Sequence, residues 1–182
     1  SRTLLVNAYM AQKRYEDALP YLRELKSYSE QDRNDYLSVL MDLSQKNPKY
    51  SQELANFAAT ELRGNVPARQ KQALIYALLN AGRGDIALPY IREFAQTQGG
   101  DWVEVYAQNL DKVGRRDEAR DFRLQIANDP KTSTKTRRDI GFLLLDKGYK
   151  EDSMSVFANL AADAPAQSTD VQQLLYLWGP RL

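Results

Sequence analysis

The sequence predicts an all-α chain built as a solenoid of stacked helix pairs, and three observations carry that expectation. Leucine, alanine and tyrosine supply most of the apolar content, while valine and isoleucine are scarce. That bias favours helix over the pleated sheet, where β-branched residues pack best. One phrase, Arg14-Tyr15-Glu16-Asp17-Ala18-Leu19-Pro20-Tyr21-Leu22-Arg23-Glu24-Leu25, returns as Arg83-Gly84-Asp85-Ile86-Ala87-Leu88-Pro89-Tyr90-Ile91-Arg92-Glu93-Phe94. Glycine recurs at Gly82, Gly114 and Gly148, positions suited to a left-handed residue that ends one helix and turns the chain into the next.

Ala18 and Ala87 lie 69 residues apart, two periods of about 34 residues, the length of a helix–turn–helix repeat. Such a pair cannot bury its apolar face alone, so neighbouring pairs must stack into one core. The spacing divides residues 1–182 into a single array of five pairs, 1–29, 33–64, 68–98, 101–129 and 134–164, with one helix of a sixth at 169–178. The first pair sets Leu5 and Tyr9 on one face of its opening helix. The second, with Leu37, Leu40 and Met41 followed by Asn47 to Phe57, is the most degenerate copy and is placed mainly by spacing. The third carries Leu74, Ile75 and Leu78, the fourth Tyr106, Ala107 and Leu110, and the fifth Ile140, Gly141 and Leu144, all at helical intervals. Second helices open with Glu16-Asp17, Asp117-Glu118 and Glu151-Asp152, where carboxylates meet the positive end of the helix dipole. Ala18, Ala87, Ala119 and Ser153 are small enough for the two helices of a pair to approach closely, and Pro130 and Pro165 follow second helices as stops.

Composition also excludes functions. The net charge is +1, from 25 basic and 24 acidic residues, whereas a nucleic-acid binder or a protein that coats an anionic membrane surface carries a clear basic excess. There is no cysteine and no histidine, which removes thiol chemistry and the side chain best suited to proton transfer near neutral pH. No apolar run reaches the roughly 20 residues of a membrane-spanning helix, so no insertion by this segment is expected. The chain reads as a piece of a longer protein, whose leader or membrane domain would lie outside it. Asp85, Glu104, Asp111 and Asp146 could form a carboxylate pair for glycoside hydrolysis, but no motif singles out two of them. The expectation is a non-enzyme without metal or cofactor.

The repeated glycine, small residue and aromatic, in order and at this period, resemble the tetratricopeptide repeat family over nearly the whole chain. The usual aromatic near the start of the first helix is kept only at Trp102 or Val103. The resemblance implies a right-handed superhelix of antiparallel helix pairs whose first helices line a concave, partner-binding groove. It places Asn7, Gln72, Tyr76, Asn80, Glu104, Gln108, Lys112, Arg138, Phe142 and Asp146 on that groove, with Arg69 and Lys135 near its rim. Amides, tyrosine and paired charges suit a peptide or sugar hydroxyls. Some family members grip a C-terminal carboxylate; Asn7 matches one amide of that clamp, but Thr3, Asp42, Gln72 and Tyr76 do not complete it. An RNA-reading pentatricopeptide array has a similar period, and the balanced charge argues against it.

The segment Leu174-Leu175-Tyr176-Leu177-Trp178-Gly179-Pro180-Arg181 is similar to repeat arrays of Gram-negative envelope proteins, namely the Pel-type exopolysaccharide secretion proteins of the outer membrane and the phage-adsorption outer-membrane proteins. That resemblance implies a periplasmic array attached to an outer-membrane protein, docking a polysaccharide-modifying enzyme or guiding polymer. The other reading is a cytosolic adaptor for a peptide or regulatory protein. A basic cluster, Lys112, Arg115, Arg116, Arg120, Arg123, Lys131, Lys135, Arg137 and Arg138, is interleaved with acidic residues and reads chiefly as a salt-bridged exterior. Tyr28 and Tyr176 are the expected exposed tyrosines.

Overall fold

The computed structural model describes residues 3–163, and every regular element among them is helical. Helices α1 (Leu4–Ala11) and α2 (Tyr15–Leu25) come first, then α3 (Glu30–Lys46), a single 3₁₀ turn at Pro48–Tyr50, and α4 (Ser51–Arg63). They are followed by α5 (Ala68–Asn80), α6 (Gly84–Thr97), α7 (Asp101–Lys112), α8 (Arg116–Ala127), α9 (Thr134–Asp146) and α10 (Lys150–Asp163).

One turn recurs between the helices of four pairs. Gly82, Gly114 and Gly148 have φ of 73°, 84° and 90°, and the next amide donates back across each turn: Arg83 to the Leu78 carbonyl (2.8 Å), Arg115 to Leu110 (2.9 Å) and Tyr149 to Leu144 (2.9 Å). Together with the glycine amides, which donate to Leu79, Asp111 and Leu145, these bonds satisfy carbonyls that the helix end would otherwise orphan. The α1–α2 turn has the same pattern, Arg14 donating to Tyr9 at 2.9 Å, but its left-handed residue is Lys13, with φ 56°. The α3–α4 connection differs. Asn47 is extended there, and its side chain accepts from the Lys49 amide at 3.0 Å, capping the 3₁₀ turn. This local chemistry is why the second copy looked degenerate. Its first helix also begins at Glu30 rather than near 33, because Ser29 caps it: the Ser29 hydroxyl accepts from the Asp32 amide (3.1 Å) and donates to the Asp32 carboxylate (2.7 Å).

The chain divides into two compact units, with the boundary between Val103 and Glu104. In the first, consecutive helices from α1 to α6 pack on one another, and α3 also meets α5 as α4 meets α6. Its core gathers Val6, Ala18, Leu22, Tyr36, Leu40, Leu54 and Ala77. In the second, α8, α9 and α10 pack mutually around Ala127, Ile140, Leu144 and Val156. The small residues Ala18, Ala87, Ala119 and Ser153 are all buried. Ser153 offsets the burial of its hydroxyl by donating to the Gly141 carbonyl at 2.7 Å. Gly141 sits at a close approach: a Cβ there would stand 2.8 Å from Cζ of buried Phe157, and the ring would have to shift.

Several expectations need correction. In α1 it is Val6 that is buried, with Tyr9 and Met10 packed partly against the core, while Leu4 and Leu5 are exposed. The helix packs on α2 with a stripe shifted one residue from the expected Leu5 face. Two arginines of the basic cluster, Arg123 and Arg137, are buried rather than part of a solvated exterior. Arg137 donates to the Ala127 carbonyl and the Asp163 carboxylate, each at 2.8 Å. Pro20 and Pro89 lie inside α2 and α6, both exposed; facing solvent, they leave the carbonyl four residues back to water rather than burying it unpaired. Tyr28 is exposed as expected, and Tyr21 and Tyr76 are exposed too. The expected helix at 169–178, Pro165 and Tyr176 lie outside the described residues.

Candidate functional site

The residues assigned to the groove form short stripes, one per helix. On α5, Gln72, Tyr76 and Asn80 recur every four residues opposite the buried Leu74, Ile75 and Leu78, so the helical period puts all three on one side. Tyr76 is 47% exposed. Its ring centroid is 5.7 Å from that of Trp102, which in turn stacks on Phe94 at 4.9 Å. Asn7 is exposed on α1, and Arg69 is exposed in the first turn of α5.

In the second unit, α7 carries Glu104, Gln108 and Lys112, and α9 carries Arg138, Phe142 and Asp146. Gln108, Lys112 and Asp146 are exposed, as is Lys135, while Arg138 is partly buried. Phe142 keeps a solvent-facing edge, and its ring meets Phe157 edge-on at 5.1 Å. Glu104 is engaged within the fold: it accepts from Nη2 of Arg123 at 3.0 Å.

Arg123 is only 1% exposed and is gripped from two sides, its Nη1 donating to Asp111 at 2.8 Å. Lys147 approaches the same Asp111 carboxylate at 3.0 Å. Burial pushes the Asp111 carboxyl up, but the hydrogen bonds from Arg123 and Lys147, with their charges, outweigh it and hold the group below its ordinary range. Of the four carboxylates considered for catalysis, Glu104 and Asp111 are thus braces for one arginine. Asp85 is held low first by its hydrogen bond with Arg83, and Asp146 is solvent-exposed. Among the described residues no cluster of three metal-ligating side chains occurs.

A cleft of about 840 Å³ in the first unit, formed by the C-terminal end of α2 with α3 and α4, is not signalled by any motif in the sequence. None of the ten groove residues lines it. Within its lining the Arg23 guanidinium makes a bidentate pair with Glu53 (2.8 and 2.9 Å), and the Tyr36 hydroxyl donates to the same carboxylate at 2.6 Å. The arginine hydrogen bond chiefly holds Glu53 low against the cost of burial, while burial, then the bond to Glu53, raises the Tyr36 phenol. Four cationic side chains, Arg23, Lys26, Arg33 and Lys49, face two carboxylates, Glu53 and Glu61. The signal for this site was scattered across α2, α3 and the degenerate α4 copy. Only the folded arrangement joins residues 30 positions apart, such as Arg23 and Glu53.

Comparison with protein-family models, curated proteins and solved structures finds no match for the chain.

Proposed function

We propose that this chain is a non-catalytic interaction scaffold of tetratricopeptide type, a solenoid whose first helices present polar rows to a protein partner. The observation that supports the reading best is the repeated unit itself. Four helix pairs share one left-handed turn with the same two hydrogen bonds, and each pair is closed by a buried small residue. Opposite those buried stripes, Gln72, Tyr76 and Asn80, then Gln108 and Lys112, then Phe142 and Asp146 leave side chains available on consecutive first helices. Function in such repeats resides on a presented surface rather than among reacting groups. For the setting we propose the periplasm, attached to an outer-membrane exopolysaccharide exporter, with a polysaccharide-modifying enzyme as the docked partner. The resemblance of Leu174 to Arg181 supports that placement.

The test is a comparative pull-down from envelope extract with the chain as bait, beside Tyr76→Ala and a Gln108→Ala/Arg138→Ala pair. One partner retained by the parent chain and lost by either variant is the expected result. Equal capture by all three baits would remove the polar rows from the binding surface. Retention of polymer without protein would replace docking by polymer guidance.

A further inference from the structure

The cleft between α2, α3 and α4 differs from the polar rows in position and in chemistry. Its two carboxylates are already engaged, Glu53 by Arg23 and Tyr36, and Glu61 by Arg33 at 3.9 Å. Its two lysines are not matched in this way. The Lys26 ammonium sits over the Tyr36 ring, 4.7 Å from its centroid, and the Lys49 ammonium over the Tyr50 ring at 4.9 Å. Among the described residues neither forms an ion pair with a carboxylate. A cation over an aromatic face is steadied by the ring quadrupole yet keeps most of its hydrogen-bonding capacity, so both ammonium groups are positioned without a hydrogen-bonded carboxylate, although the Lys26 charge also acts on nearby Glu53. On the same lining α4 presents Gln52 and Asn56; the Gln52 amide donates to the Asn56 side-chain carbonyl oxygen at 2.8 Å, which leaves the Gln52 oxygen and the Asn56 NH₂ able to bond a peptide backbone. The volume of about 840 Å³ falls in the range of ligand-sized clefts, roughly 300–1,000 Å³.

We propose that this cleft binds an acidic peptide segment, its carboxylates taken by Lys26 and Lys49 and its backbone by the amides of α4. The Arg23–Glu53–Tyr36 cluster lines one part of the cleft, and Glu53 and Glu61, being paired, repel the ligand less than free carboxylates would. Charge complementarity of this kind selects the partner and speeds encounter. The segment belongs to a partner protein, and its site is separate from the rows on α5, α7 and α9.

The experiment is fluorescence anisotropy on the intact chain with a labelled glutamate-rich peptide and the same peptide carrying glutamine throughout. The glutamate peptide should bind, more weakly as salt is raised, and the glutamine peptide should not. Lys26→Gln/Lys49→Gln should weaken binding by about tenfold with the helical circular-dichroism spectrum retained, while Tyr76→Ala leaves binding intact. Asn56→Asp, which adds a carboxylate to an exposed position, should also weaken it. Equal binding of both peptides, or affinity indifferent to the lysine pair and to Asn56→Asp, would overturn the proposal. So would a polyuronate that binds the same lysines more tightly than the peptide, since the site would then be one for acidic sugar.

Discussion

At the scale of single residues, the sharpest departure from the repeat is Lys13. It occupies the left-handed position that glycine fills in three other turns, where a side chain costs about 1–2 kcal/mol. Glycine loses some of that advantage through the greater freedom of its unfolded chain. Lys13→Gly should therefore stabilise the protein by about 0.5–1 kcal/mol, read from urea denaturation; a loss of stability would mean that Lys13 makes a compensating contact. The second residue-scale prediction concerns Asp111. Its folded carboxyl titrates below its ordinary range, so its contribution is fully present above the unfolded pKa and is lost as pH falls through the folded one. Asp111→Asn should cost about 2 kcal/mol at neutral pH. The gap from the parent chain should narrow on acidification below about pH 4. A gap that stays constant to acid would show that Arg123 and Lys147 do not depend on the charge of Asp111.

Elements show how far pattern reading reaches. The buried faces of α5, α7 and α9 coincide with the apolar intervals Leu74-Ile75-Leu78, Tyr106-Ala107-Leu110 and Ile140-Gly141-Leu144, because a helix packed on neighbours must hide one stripe at its own period. The α1 face was misplaced for the same reason in reverse: Leu4, Leu5 and Val6 are consecutive, and three adjacent apolar residues do not specify which one points inward. Gly141 illustrates a detail that spacing alone cannot convey. It reads as one more small residue on an apolar face, yet a Cβ there would run into the ring of Phe157. Gly141→Ala should destabilise by about 1 kcal/mol, overpacking outweighing the gain in helix propensity. Phe157→Leu in the same chain should recover part of the loss in a double-mutant cycle. Additive losses would mean that the ring moves aside freely.

For the molecule as a whole, helical class was legible, since it is written in composition, and the small residues Ala18, Ala87, Ala119 and Ser153 that recur in the sequence are all buried. The division at Val103–Glu104 was not legible. It falls inside α7, with no proline-rich or charged linker to mark it. The buried Arg123 and the basic cleft were equally hidden, because charge in a sequence carries no label for depth. In the proposed solenoid, stability is a sum of local terms. Ala87→Arg, which forces a long charged side chain into a fully buried position, should destabilise by more than about 3 kcal/mol. By hydrogen exchange the loss should concentrate in α5 and α6, while α9 and α10 keep their protection. Uniform loss along the chain would mean that the helices unfold as one cooperative body.

The stack of Trp102 on Phe94 beside Tyr76 also gives the protein an optical handle. The chain has two tryptophans, so Trp178→Phe leaves Trp102 as the single indole emitter. Its surroundings include the exposed tyrosine at the centre of the α5 row, whereas Trp102 is absent from the lining of the basic cleft. A partner settling on that row would displace water near the indole and shift its emission, and an acidic peptide held in the cleft would leave the spectrum where it was. The Trp178→Phe protein would thus report, without any label, which of the two proposed surfaces is occupied.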